Sequence, residues 1–242
     1  MASLSPRDSS PAPAKARAVV LLSGGMDSCV CAALAVRDYQ PAFLHVDYGQ
    51  RTERRECEAF LAIARHYGVR QTMVVRNEAL ARIGGSALTD STLDVPVEGV
   101  RPGIPITYVP FRNAHFLAAA VSWAEVLGAP AVLIGAVEPD SSGYPDCRPE
   151  YYRIFNQLIE AGTAAGGIRI ETPLIALRKT EIIRRGLELG APFHLSWSCY
   201  RNSAAACGVC DSCRLRLAAF AGVGAVDPIP YETAYLERSQ ES

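Results

Sequence analysis

Six consecutive residues, Ser23-Gly24-Gly25-Met26-Asp27-Ser28, concentrate groups that could do chemistry near the start of the chain. The paired glycines allow a tight turn and let the backbone approach a ligand with no Cβ in the way. Asp27 and Ser28 open a helical pattern, whose first N–H groups and dipole attract anions. Preceded by the apolar run Val19-Val20-Leu21-Leu22, the stretch reads as strand, phosphate loop and helix start, with residues 22–28 as its binding positions and pyrophosphate as the expected ligand. Its spacing is neither G-x-x-x-x-G-K-[ST] nor G-x-G-x-x-G, so the two commonest nucleotide-binding loops do not describe it.

A second cluster is made of thiols. Cys199, Cys207, Cys210 and Cys213 follow a C-x7-C-x2-C-x2-C spacing, and four thiolates so placed can meet one ion. Zinc is expected ahead of an iron–sulfur cluster, because the later Cys-Pro of the ferredoxin pattern is missing. Four sulfurs leave no open position, so the site reads as structural. Cys29, Cys31 and Cys57 fall on helical segments and read as small core residues.

These groups need a scaffold. Apolar periodicity predicts helices over residues 27–39, 53–67, 112–127, 149–165 and 178–189, and strands over 42–46, 71–75, 131–137 and 168–171. The βαβ order implies an α/β fold: a Rossmann-like parallel sheet with helices on both faces, followed by a small C-terminal zinc-binding region. Residues 1–17, rich in Ser, Pro and Ala, read as a disordered tail, 18–195 as the domain that carries the phosphate loop and 196–242 as the cysteine region and its tail. Residues 83–107 carry no sustained period and form a long excursion of the kind that covers sites. In open parallel sheets ligands bind beyond the carboxyl ends of the strands. Polar clusters at Asp47-Tyr48-Gly49-Gln50-Arg51, at residues 108–113 with Arg112 and Asn113, and at 138–148 are therefore expected to share one edge with the phosphate loop. A nucleotide held by that loop would reach Asp47 and Tyr48 with its adenosine half.

Charge narrows the partners. Lys+Arg 24 against Asp+Glu 25 leaves a formal charge of −1, which argues against stable nucleic-acid binding by backbone neutralisation and favours a small-molecule substrate. No run of about 18 apolar residues and no signal-like apolar stretch ahead of the first strand is present, so a soluble, cytoplasmic protein without a membrane partner is expected.

The S-G-G-x-D-S loop resembles that of the pyrophosphate-loop ATPases, which share the adenine nucleotide alpha-hydrolase-like fold and transfer AMP from ATP to a substrate oxygen. Added to it are Val46-Asp47-Tyr48-Gly49-Gln50-Arg51, the S-G-Y-P-D-C-R run from Ser142, Thr172-Pro173-Leu174 with Lys179-Thr180-Glu181, and Ser198-Cys199-Tyr200 with C-G-x-C-D-S-C from Cys207. Together they resemble the 7-cyano-7-deazaguanine synthases over residues 18–220, with one departure at Phe111, where the family's V-P-G-R-N carries a small residue.

The resemblance implies ATP, Mg²⁺ and zinc as cofactors. It also implies conversion of 7-carboxy-7-deazaguanine and ammonia to the nitrile in queuosine biosynthesis, by adenylation of a carboxylate and then of an amide. In such a ligase the loop holds the β and γ phosphates and Asp27 helps hold Mg²⁺, while Lys179 balances the departing pyrophosphate. Asp146 is expected to accept from the guanine-like N1–H and amino group, and Arg148 to face the substrate carboxylate. A homodimer is expected from the family and from the frequency of twofold oligomers. Alternatives are a related ATPase transferring a deazaguanine to a macromolecule, a tRNA thiolase, and a nucleotide-binding module that uses a zinc knob for protein contacts.

Overall fold

The computed structural model describes residues 14–97, 103–139 and 143–233. Five strands, β1 (Arg17–Leu21), β2 (Gln40–Asp47), β3 (Thr72–Arg76), β4 (Ala131–Ile134) and β5 (Arg169–Glu171), form one sheet in the order β3-β2-β1-β4-β5. All neighbouring pairs are parallel, with Val20 of β1 opposite Phe43 on one side and Leu133 on the other. The crossover helices are α1 (Met26–Asp38), α2 (Glu53–His66), α4 (Arg112–Leu127) and α5 (Pro149–Gly162), with α6 (Lys179–Glu188) following β5. Short α3 (Glu78–Ile83) and the C-terminal α7 (Asp211–Ala221) complete the set.

Side chains of β1 alternate between two cores, as the period of two requires. Ala18 and Val20 pack with α1, α6 and the Phe60–Ile63 stripe of α2, whereas Val19 and Leu21 pack with Leu117, Ala120 and Ala124 of α4 and Ile159 of α5. Helices therefore cover both faces. Strand order reverses between β1 and β4, and that reversal opens a crevice at their carboxyl ends.

Several expected boundaries shift. β1 begins at Arg17, inside the segment read as tail; residues 1–13 of that tail and 234–242 of the C-terminal one lie outside the described residues, as does Ser142. The strand expected over 131–137 stops at Ile134, because the chain must pass close to α1: a Cβ on Gly135 would lie 3.0 Å from backbone atoms of Asp27 and Ser28. Two helices escaped the periodicity. α3 has only one buried residue, Leu80, and α7 buries Asp211 and Arg216 beside Phe220, which breaks an apolar stripe.

Candidate functional site

The loop of residues 23–28, the expected phosphate loop, leaves β1 in the middle of the sheet and enters α1 within a few residues. Gly24 makes the turn with φ +89°, and a Cβ there would stand 2.6 Å from the Glu56 carbonyl oxygen, so α2 packs directly against the loop. The Gly25 N–H donates to Ser23 Oγ at 3.2 Å, the Ser28 hydroxyl donates to the Gly25 carbonyl at 3.0 Å, and the two serine oxygens lie 3.0 Å apart. Asp27, the second residue of α1, accepts a 2.6 Å hydrogen bond from Lys179 Nζ at the start of α6. The Lys179 side chain is 14% exposed and that of Asp27 27%, so the pair is partly shielded from water. Asp27 Oδ1 is buried with no hydrogen-bond partner among the described residues.

A cavity of about 270 Å³ opens over this loop, lined by Leu22, Ser23, Gly25, Met26, Asp27, Ser28 and Lys179. Its far wall brings Tyr48, Arg112, Asn113 and Phe116 together with Tyr144 and Tyr200. Arg112 Nη1 donates to Tyr48 Oη at 3.2 Å, and its guanidinium stands 5.6 Å from the centres of both the Tyr48 and Phe116 rings. A cationic plane among aromatic faces suits a flat heteroaromatic ligand. Burial pushes the Tyr48 phenol up to about 12, so it stays a neutral donor at ordinary pH.

Other expected site residues stand elsewhere. Asp47 is outside the cavity wall; its Oδ1 accepts the Gly49 N–H at 3.2 Å, and Arg76 approaches Oδ2 at 3.8 Å. Asp146 is 3% exposed and lies behind Asn113, whose N–H donates to its Oδ2 at 3.1 Å and whose Nδ2 donates to its carbonyl at 3.0 Å. That carboxylate caps the first turn of α4, although its Oδ1 is buried and unpaired among the described residues. Arg148 is exposed at the N-cap of α5 and does not line the cavity. Cys147 does line it, but burial raises its thiol to about 11, so it is held as the protonated, poorly nucleophilic form. Phe111 is the one described non-glycine residue with positive φ, at 55°, and it is 60% exposed at the N-cap of α4. The position where the resembled family keeps a small residue thus has a left-handed backbone, which glycine adopts without strain.

The four sulfurs of Cys199, Cys207, Cys210 and Cys213 lie within 4.8 Å of one another, and all four residues are buried. Sulfurs bound to one zinc at about 2.3 Å would form a tetrahedron with edges near 3.8 Å, which this grouping approaches. The backbone N–H groups of Arg201, Asn202 and Cys207 each reach Cys199 Sγ at 3.4 Å, and that of Cys210 reaches Cys207 Sγ at the same distance. Donors aimed at sulfur stabilise thiolates, so the set fits a metal cation.

Several cavity residues were given no role by the sequence, although Ser198 stands in the Ser198-Cys199-Tyr200 motif. Glu56 accepts from Thr52 Oγ1 at 2.7 Å and Gln50 Nε2 at 3.0 Å, and burial raises its carboxyl against those bonds. Trp197, Ser198 and Arg216 arrive from the C-terminal region. The Trp197 N–H donates to the Gly24 carbonyl at 2.8 Å, which ties that region to the loop. Glu56 sits on the polar face of α2 and Arg216 in a helix with no clean stripe, so only α/β topology could have pointed to them.

The queuosine biosynthesis protein QueC family profile matches residues 17–224. The 7-cyano-7-deazaguanine synthase of Acidobacterium capsulatum is 61% identical over 224 residues, covering 90% of this chain and 98% of that one. The protein of the same name from Koribacter versatilis is 61% identical over 220 residues, covering 89% of this chain and 93% of that one. A looser overlay, with a TM-score of 0.46 and 18% identity across 93% of this chain and 82% of the other, is with NMN synthetase from Francisella tularensis. A profile that spans nearly the whole described sheet and cysteine region, with relatives at this identity, means that the chain belongs to the queuosine biosynthesis protein QueC family.

Proposed function

We propose that this chain is an ATP-dependent ligase that converts 7-carboxy-7-deazaguanine and ammonia to 7-cyano-7-deazaguanine. The observation that carries the reading is the Asp27–Lys179 pair beside the phosphate loop, in one cavity with an aromatic wall of Tyr48, Phe116, Tyr144 and Tyr200. The names borne by relatives at 61% identity supply the substrate class.

The chemistry needs no protein nucleophile. A carboxylate oxygen of the substrate attacks the α-phosphorus of ATP and releases pyrophosphate; ammonia then displaces AMP, loses a proton and leaves an amide. The amide oxygen attacks a second ATP, and departure of AMP with loss of two protons forms the nitrile. Each of the two carboxylate oxygens thus leaves in an AMP. The N–H groups of Asp27 and Ser28 at the start of α1 bind the phosphates, while Lys179 neutralises charge on the pyrophosphate as it departs. Mg²⁺ would supply further charge neutralisation, and the unpaired Oδ1 of Asp27 is the group of this chain suited to hold it. Arg112 and Tyr48 orient the planar substrate or the adenine. Asp146 acts by holding Asn113 and the start of α4, and Arg148, exposed at the N-cap of α5, is the cation assigned to the substrate carboxylate. Zinc on the four cysteines is structural, the site is cytoplasmic, and the assembly is a homodimer.

The test is incubation of purified protein with ATP, Mg²⁺, ammonia and 7-carboxy-7-deazaguanine. Product mass should match the nitrile, with AMP and pyrophosphate in step. ADP as the sole nucleotide product, or transfer of the deazaguanine to a macromolecule, would overturn the reading.

A further inference from the structure

We infer that Ser198 is a hydrogen-bond donor to the bound phosphates, so that the C-terminal region completes the phosphate site. The inference rests on the ATP reading above, which identifies the anion in the loop. Ser198 is 172 residues from Met26 in sequence, yet its Oγ accepts the Met26 N–H at 3.4 Å, at the first residue of α1. A second N–H, from Arg216 Nη1, reaches the same oxygen at 3.3 Å. A serine hydroxyl offers two acceptor lone pairs and one donor. With N–H groups facing both lone pairs, the O–H is directed elsewhere, and Ser198 lines the cavity shared by Ser23, Gly25, Asp27 and Lys179. An anion in the loop is the acceptor that this O–H lacks.

Arg216 also lines the cavity but has no donor to spare. Its Nε and Nη2 hold Asp227 at 2.6 and 2.9 Å, Nη2 also donates to the Phe193 carbonyl at 3.2 Å, and Nη1 donates to Ser196 at 2.8 Å as well as to Ser198. Those contacts occupy all five guanidinium N–H groups. Tyr231 Oη donates to Asp227 at 2.7 Å, so the carboxylate partner is itself fixed. Arg216, only 1% exposed, is therefore a positioning residue whose charge is neutralised by Asp227 and whose work is to hold Ser198. The Trp197 N–H bond to the Gly24 carbonyl clamps the backbone one residue before Ser198, which limits how far the hydroxyl can drift.

Calorimetric titration of the full chain with Mg²⁺-ATP and with inorganic pyrophosphate tests this, alongside thermal melts. Ser198→Ala should weaken pyrophosphate binding by about ten- to a hundredfold, the scale of one lost hydrogen bond to a charged group, with a Tm loss no larger than that of Ser196→Ala, since each change unpairs one Arg216 N–H. Ser198→Thr, which keeps the oxygen, should recover most of the affinity. Ser196→Ala removes the other serine contact of Arg216 at a side chain outside the cavity; it should lower Tm yet leave pyrophosphate affinity within about twofold. Wild-type affinity in Ser198→Ala would overturn the inference while the ATP reading stands. Equal weakening in Ser196→Ala would make the serines merely structural and overturn it too. If the wild-type chain binds neither ATP nor pyrophosphate, both the inference and the reading fall.

Discussion

The phosphate loop and the cysteine block face the same cavity but are held by different means. The loop is an extension of β1, which is paired on both sides, and Gly24 packs against the backbone of α2, so its shape follows from the sheet and two helices. Among the described residues the cysteine block contains a single β-bridge, Ala206 with Tyr231, and the N–H groups of Arg201, Asn202 and Cys207 point at sulfur rather than at strand partners. A region built on a sheet tolerates loss of a charged side chain without unfolding. One built around four thiols depends on whatever neutralises them, because uncompensated thiolates at this spacing repel. Changes in the loop should therefore affect chemistry before stability, and changes in the block should affect both.

The sharpest break in that contrast would come from Asp27→Asn. Turnover should fall at least about a hundredfold, the scale seen when a preorganised charge is removed from an active site, while Tm moves by only a few degrees. Steady-state AMP release with circular dichroism reads both, and wild-type turnover in a folded variant would remove Asp27 from the site. Next is Cys210→Ser, which should release the metal and lower Tm on the order of 10 °C, with activity falling in parallel. Cys31→Ser is the control: the thiol is fully buried in the apolar core, so a hydroxyl there should cost about 1–3 kcal/mol without any loss of metal. Elemental analysis beside calorimetry separates the two, and full metal content in Cys210→Ser would sink the ligand assignment.

A third test asks whether loop shape can be spoiled by one methyl group. Gly24→Ala combines a strained φ with a contact at 2.6 Å to backbone that cannot swing away, and should destabilise by about 2–3 kcal/mol in urea titration. Unchanged stability would mean that α2 does not constrain the loop.

The smallest effect concerns pH. His45, beneath the loop, is 1% exposed and its Nδ1 lies 3.1 Å from the Leu22 carbonyl oxygen. Burial is the main influence on its imidazole and holds it below the ordinary value, so the unfolded chain binds the proton more readily. Its contribution to stability is complete above a pH of about 6.5 and is lost as pH falls from there through the folded value, at no more than about 1.4 kcal/mol per pH unit. Melts from pH 7.5 to 5.5 should show a shallower acid slope in His45→Asn than in the wild type; identical slopes would show that His45 is not the group being titrated.

Much of this molecule was legible because the signals are local. A strand of apolar residues, two glycines and a helix start are contiguous, so the loop between β1 and α1 could be located without knowing anything distant. The α4 boundaries came out at Arg112–Leu127 for the same reason: apolar periodicity runs up to the glycine at 128. The cysteine spacing was readable because three of the four thiols lie within seven residues of chain. Asp146 was harder. Its motif marks the loop but not the direction of its carboxylate, which the structure turns toward the N–H of Asn113.

By itself, then, the order of residues determined a parallel α/β sheet, the position of the glycine loop between β1 and α1 and a four-thiol cluster, since each depends on neighbours a few residues apart. Motifs named Lys179 and Ser198, but which groups each of them touches was decided only by tertiary structure. Lys179 meets Asp27 across 152 residues, and Ser198 meets Met26 across 172. Such contacts depend on how α6 and the C-terminal region pack back over the carboxyl edge of the sheet, and on the buried Arg216–Asp227 pair that holds Ser198 there. Spacing along the chain carries no information about that closure, because the pairing energy of these groups is realised only once the intervening elements have folded and excluded water.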